Sequence, residues 1–368
     1  MNVPLLDVNA QNHPIADELR GAFEGVLETG RFIMGAEVEQ FEAEIAEFVG
    51  AKHAIGVSSG TDAILLALMV LGIGPGDEVI CPSFTFFATA GCIARTGATP
   101  VFCDCHSDTF NMDFASAEAC VSEKTKAIIP VHLFGQSVDM GACEAFAQKH
   151  GLKVIEDTAQ SLGAKYGGKS CGAMSDFGTY SFFPSKNLGG LGDGGLLVTQ
   201  DNRLAEIAIK MRNHGMHPRY HHQIVGGNFR LDALQAAFLR VKFSHYTDYI
   251  KQRQENAAYY KKHLSELANI ILPIEQNGYQ HIWNQFTIRV KEGRRDDLKE
   301  HLSKEGIGCE IYYPIPMHQQ ECFSHLESNQ RTSLNTTDQL SAEVLSIPIY
   351  PELIEEQRAA VVAAMKSF

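Results

Sequence analysis

Lys186 has the clearest capacity for covalent chemistry in this chain. It lies in Ser181-Phe182-Phe183-Pro184-Ser185-Lys186-Asn187-Leu188-Gly189, after an apolar strand and before a glycine-rich turn. A lysine in a desolvated pocket loses proton affinity and becomes a usable amine nucleophile. A lone loop lysine is more commonly a solvated surface residue. A second candidate is Glu156-Asp157-Thr158-Ala159-Gln160, just past the apolar run KVI. An acid beyond the carboxyl end of a strand in an open α/β sheet can face a ligand, and it can equally cap the next helix. A third is Ser58-Ser59-Gly60-Thr61-Asp62, between a strand and an apolar helix. The free N–H groups of a helix start attract an anion, and glycine admits close approach. Ser and Thr there also serve as ordinary helix caps.

Two patterns invite readings that the context opposes. Gly190-Leu191-Gly192-Asp193-Gly194-Gly195 fits G-x-G-x-x-G. A dinucleotide fingerprint follows a strand and opens a helix, whereas this run is followed by strand-like LLVT. The glycines are read as tight turns around the lysine. His217-Pro218-Arg219-Tyr220-His221-His222 suggests a metal, yet no H-x-x-x-H pair on a helix and no nearby cysteine pair supports one. No metal is expected, and a polar loop touching an oxygen-rich ligand fits better.

The elements that must position these residues alternate. Ala54 to Val57, Glu78 to Cys81, Pro100 to Cys103, Lys126 to His132, Lys153 to Glu156, Thr179 to Phe183 and Leu196 to Thr199 read as strands. Glu37 to Val49, Ala63 to Ile73, Met140 to His150 and Asp201 to Arg212 read as helices. That alternation predicts an α/β fold with a mostly parallel sheet covered on both faces. After Asp232 a long helix continues past Tyr246, and the remainder mixes helices with strands such as Gln285 to Val290. A large domain over 1–245 and a smaller one over 246–368 follow. The 368 residues suit that division.

Net charge is −13, which argues against broad nucleic-acid binding but leaves a small anionic ligand open. The nine cysteines are scattered, with Cys103 and Cys105 the closest pair, as expected of a reducing cytoplasm. No signal peptide is expected from the N-terminal residues, and no apolar run approaches the ~20 residues of a membrane span.

Together the segments SGTDA, PSFTFFATA (82–90), EDTAQSLGA (156–164), SFFPSKNLGGLGDGG (181–195), GNFRLDALQAA (227–237) and YYPIP (312–316) resemble the DegT/DnrJ/EryC1/StrS family of sugar aminotransferases. The resemblance runs over nearly the whole chain. It implies a fold-type-I pyridoxal 5'-phosphate (PLP) transferase, with a mostly parallel seven-stranded-type sheet in the large domain and a smaller α+β C-terminal domain. By position it implies that Lys186 carries PLP as a Schiff base and that Asp157 pairs with the pyridine nitrogen. Gln160 would lie near the phenolic oxygen, and Phe86 would stack on the ring. Ser59, Gly60, Thr61 and Ser181 would cradle the phosphate, and Asn228 would reach it from a neighbouring subunit. A homodimer with shared active sites follows. The amino donor implied is L-glutamate, the acceptor a nucleotide-linked keto-sugar.

Within the family, NHGMHPRYHHQIVGGNFRLD and YYPIPMHQQ are most similar to aminotransferases of UDP-2-acetamido-2-deoxy-3-oxo-glucuronate, which serve surface-polysaccharide and O-antigen synthesis. Arg219, Tyr220, His221, Tyr312 and Tyr313 are the candidate substrate contacts. Arg219 could meet a uronate carboxylate or a nucleotide phosphate, since its fork binds both. Tyr312 stands where that group would have histidine, which leaves dTDP-3-keto-6-deoxyhexose and UDP-4-keto-sugars open. Sugar dehydratases similar to this chain carry histidine at the Lys186 position, so Lys186 favours transamination. A non-catalytic PLP-binding regulator is the alternative of another class, because fold alone does not establish function.

Overall fold

The computed structural model describes residues 1–368. Seven strands form the main sheet: β1 (His53–Val57), β2 (Glu78–Pro82), β3 (Thr99–Cys103), β4 (Thr125–Ile128), β5 (Lys153–Asp157), β6 (Phe177–Ser181) and β7 (Gly195–Thr199). Their order is β1-β7-β6-β5-β4-β2-β3. All are parallel except β7, which pairs antiparallel with both β1 and β6. The strands are nearly continuous apolar runs because helices cover both faces.

Strand alternation sends neighbouring side chains to opposite faces. Ile55, Val79, Cys81, Ile155 and Phe177 join one core with the helices Gly60–Val70, Phe87–Arg95 and Asn202–Arg212. On the other face, Leu196 and Val198 pack with the helices Ala36–Val49 and Ala233–Ser244, while Ile80, Val101 and Val154 pack with Met140–His150. At the end of β5 the same alternation turns Glu156 and Asp157 in opposite directions.

The expected long helix after Asp232 is two helices, Ala233–Ser244 and Tyr246–Leu264, meeting at His245. The strand expected over 179–183 ends at Ser181; beyond it the backbone of Phe182 still bonds Gly194 and Gly190, but Pro184 turns the chain out. A separate core gathers Tyr260, Trp283, Phe286, Ile288, Leu345 and Val361 around a small antiparallel sheet, Ile270–Ile271, Phe286–Val290 and Val344–Ile347. Val3 belongs to this C-terminal core and bridges Ile307. Conversely, Met317, Phe323 and Leu334 leave it and pack into the first core of the main sheet. Arg331 fastens that excursion with two 2.6 Å bonds to the Glu78 carboxylate. Asp104 does so at its far end by accepting from Thr336 and Thr337 N–H.

Candidate active site

Parallel strands of one sheet end on one edge, and β5 and β6 bring Asp157 and Ser181 there, with Lys186 five residues beyond. Lys186 is half-buried, and Phe183 O accepts from its backbone N–H at 2.8 Å. Burial pulls its amine from an ordinary 10.5 down to about 8, against a smaller opposing attraction from Asp157. A usable fraction of neutral amine at neutral pH follows.

Asp157 is 5% exposed. Its Oδ2 accepts from Thr89 Oγ1 at 2.7 Å and its Oδ1 from Ala159 N–H at 3.2 Å. Burial raises its carboxyl above the usual range; the Thr89 and Ala159 donors, then Lys186, oppose this. Glu156, facing the other way, is a different kind of acid. It accepts from Gly172 N–H, Met174 N–H and Ser175 Oγ, and it lies 2.9 Å from His132 Nε2. His132 Nδ1 accepts from Val138 N–H. Glu156 has no free acceptor capacity directed at the site and ties the loop after β5 to the sheet. Neither acid caps a helix, because no helix lies between β5 and β6.

Gln160 accepts from Phe134 N–H at 2.6 Å and donates to Tyr313 Oη at 3.2 Å. Tyr313 packs edge-on to Phe84 and 6.2 Å from the ring of Phe86. Burial raises the Tyr313 phenol, so it keeps its proton. Phe86 is 56% exposed although it stands among buried residues, a free aromatic face at the sheet edge. With Thr61, Phe87, Cys322 and Phe323 it lines an open, mostly apolar hollow of about 560 Å³.

Ser59 caps the helix Gly60–Val70, accepting from Asp62 N–H at 3.0 Å, and Ser58 Oγ donates to Asp62 Oδ2 at 2.6 Å. A β-carbon on Gly60 would lie 2.6 Å from Ser181 Cβ, and one on Gly195 only 2.3 Å from the Ser59 carbonyl. Both glycines let the helix start approach β6 and β7. Ser58 and Ser59 also line a polar hollow of about 410 Å³ with Asp193, Arg230 and Gln235.

The remaining candidates lie elsewhere. Arg219, Tyr220 and His221 sit on an exposed loop after Arg212. Arg219 stacks 4.9 Å from the Tyr220 ring, and His221 bonds only Pro218 and His217 of the loop. Asn228 is also exposed and bridges Asn213. Within one chain none of these four residues hydrogen-bonds Lys186. Tyr312, half-buried, packs against Tyr313. Sequence reasoning passed over Thr89 and Thr85. Their available signal was a pair of hydroxyls four residues apart in otherwise apolar TFFAT.

The residues at this edge fit one kind of group: an anion at a helix start, a ring against an exposed phenylalanine, a carboxylate on its far side and an amine of lowered proton affinity. The fold and the site define a PLP-dependent transferase. The chain belongs to the DegT/DnrJ/EryC1/StrS aminotransferase family, whose sequence profile matches residues 14–366. It is 48% identical to a Geobacillus stearothermophilus protein named "pleiotropic regulatory protein", covering 100% of this chain and 99% of the relative. It is 45% identical to the UDP-N-acetyl-3-dehydro-alpha-D-glucosamine 3-aminotransferase of Acidithiobacillus ferrooxidans (99% and 97% covered). Identity is 40% to the UDP-2-acetamido-2-deoxy-3-oxo-D-glucuronate aminotransferase of Pseudomonas aeruginosa (95% and 96% covered). Among solved structures, S. venezuelae DesV in complex with a ketimine intermediate superposes with a TM-score of 0.96 at 41% identity, covering 100% and 98%. The Bacillus subtilis NtdA structure with bound cofactor PMP gives 0.91 at 32%, covering 100% and 85%. No helix is long and apolar enough to cross a membrane.

Proposed function

We propose that this chain transfers an amino group from L-glutamate to the C3 ketone of a UDP-linked 2-acetamido-3-oxo-hexose, with the glucuronate form as the first substrate to try. The observation that carries the transaminase reading is the Lys186 amine, drawn down to about 8 beside the buried Asp157. Bound PLP would supply an electron sink for cleaving and forming bonds at the amine-bearing carbon. Ser59, Gly60, Thr61 and Ser181 would hold its phosphate, Phe86 its ring plane, Asp157 its ring nitrogen, and Gln160 its phenolic side. Lys186 would anchor the cofactor and, once released, its Nζ would take the proton from the donor's Cα and deliver it on the other side of the exchange.

Two relatives whose names specify UDP-2-acetamido-3-oxo sugars support the C3 ketone; they differ from each other at C6, hydroxymethyl against carboxylate. The exposed loop with Arg219, Tyr220 and His221, together with Asn228, supports a homodimer in which each chain completes its neighbour's site. We place the reaction in the cytoplasm, where nucleotide sugars are made, and keep the division into two domains near residue 245 as part of this reading. The name of the G. stearothermophilus relative favours a second reading, a PLP-binding regulator.

One experiment separates these. The PLP-loaded protein is followed by absorbance as L-glutamate is added, then challenged with UDP- and dTDP-linked 3- and 4-keto-sugars. Loss of the lysine-bound cofactor band with glutamate, and its return with the UDP-3-keto-uronate, supports the proposal. Return only with the neutral UDP-3-keto-sugar removes the uronate. Return only with a dTDP or 4-keto sugar removes the proposed substrate class. A band indifferent to glutamate favours the regulator.

A further inference from the structure

Thr89 Oγ1 donates to Asp157 Oδ2 at 2.7 Å across 68 residues of chain, and Thr85 Oγ1 lies 3.2 Å from Thr89 Oγ1. Thr85, Thr89 and Asp157 are 1%, 0% and 5% exposed. Because the single Thr89 proton is given to the carboxylate, the remaining bond must run from Thr85 to Thr89. The two hydroxyls thus form a directed chain ending on the carboxylate. A threonine this close to a helix start ordinarily satisfies itself on nearby backbone, but Thr89 reaches across to another element. Thr89 lies on the helix Phe87–Arg95, and Thr85 in the loop that leads to it from β2.

We propose that Thr85 and Thr89 are positioning residues which fix the Asp157 carboxylate in the orientation that meets the cofactor's ring nitrogen. The inference rests on the assignment of Asp157 to that nitrogen. Oδ2 takes the strong, short bond, and Oδ1 has only the longer contact from Ala159, so Oδ1 keeps capacity for a further donor. Without the Thr89 hydroxyl the carboxylate could rotate about its last torsion, which is broad in aspartate. The hydroxyl chain also opposes the effect of burial on the acid. Other ionisable groups acting on Asp157 are Lys186 from the loop after β6, His132 from the segment after β4, Tyr313 from the C-terminal excursion, Cys81 on β2 and Cys92 on the helix of Thr89. Of these only Lys186 and His132 favour its charged form. Neither hydrogen-bonds the carboxylate, so Thr89 is the one side chain that sets its direction.

The test uses purified full-length protein and PLP. Two quantities are measured: the dissociation constant for PLP, by fluorescence quenching, and the midpoint of the absorbance–pH titration of the loaded enzyme. Thr89→Val keeps the side-chain shape and removes the hydroxyl. Loss of a hydrogen bond to a charged group predicts roughly tenfold or more weaker PLP binding and a displaced titration midpoint. Thr89→Ser restores both, and Thr85→Val moves both in the same direction by less. Thr89→Val with wild-type affinity and midpoint overturns the proposal, as does Thr89→Ser that fails to restore them while folded. If Thr89→Val does not fold, the comparison of Thr85→Val with wild type decides in the same way. Asp157→Ala is the control for the underlying assignment. If it too leaves affinity and midpoint unchanged, the role of Asp157 falls; if it alters them while Thr89→Val does not, only the positioning role falls.

Discussion

Replacing Lys186 by Met should stabilise the cofactor-free protein, and the gain should depend on pH. The amine titrates at about 8 in the fold against 10.5 when unfolded, chiefly because burial penalises its charge. Each tenfold change in proton affinity is ~1.4 kcal/mol. Holding the charged lysine in place therefore costs roughly 3 kcal/mol below pH 8, trimmed because the side chain is only half-buried and solvent reaches part of it. Methionine fills similar space without charge, so a gain of about 2–3 kcal/mol is expected at pH 7. The sign follows from linkage. Between about 8 and 10.5 the unfolded wild-type chain binds a proton that the folded chain does not. Wild-type stability therefore rises with pH in that window. The advantage of Lys186→Met should be full below pH 8 and gone near 10.5. Urea unfolding of both proteins, cofactor removed, at a series of pH values gives the comparison. A methionine variant less stable at pH 7, or a difference that stays constant from pH 7 to 10.5, would refute the claim that a desolvated charge sits at Lys186.

Other expectations are more direct. Lys186→Ala should leave a folded protein with no glutamate-dependent turnover, assayed by 2-oxoglutarate release; normal turnover would mean the lysine is misassigned. Gly60→Ala would put a β-carbon 2.6 Å from Ser181 Cβ. Overpacking of that kind costs ~1–3 kcal/mol, so a lower melting temperature and weaker PLP binding are expected together. Arg331→Met strips Glu78, itself 5% exposed, of its two charged bonds. A loss of about 3 kcal/mol is expected in urea unfolding, because a buried carboxylate is left unpaired. Mixing inactive Lys186→Ala chains with inactive Asn228→Asp chains should restore roughly a quarter of the sites if random two-fold pairing completes each site from two chains; no recovery on mixing speaks against shared sites.

Much of the sheet was legible because buried strands and amphipathic helices differ in period. The helix Met140–His150 and the strand cores within β1 to β5 appear where apolar runs and turn residues put them. The edge that gathers Lys186, Asp157 and the Ser59–Thr61 turn was legible for a related reason. Each lies at or within a few residues of a strand's carboxyl end, and parallel strands share that end. What could not be read is contact through space with no local pattern. Nothing in TFFAT says that Thr89 faces residue 157, and nothing in the C-terminal stretch says that Phe323 and Leu334 return to the first core. Val3 pairs with Ile307 for the same reason, by tertiary contact alone. Arg219 to His221 form a loop that stacks on itself and bonds its neighbours His217 and Pro218.

The excursion fastened by Arg331–Glu78 and Asp104–Thr337 has a kinetic corollary. It leaves the C-terminal core near Met317, whose N–H donates to Ser83 O, and is tied again at Arg331 and Thr337 before it returns, so lifting it from the main sheet would break an ion pair and charge-assisted hydrogen bonds. Enzymes that close a lobe over substrate divert part of the binding energy into the closure. Here those ties oppose that diversion, so turnover should respond weakly to solvent viscosity; a strong slowing in added viscogen would show that the excursion moves during the cycle.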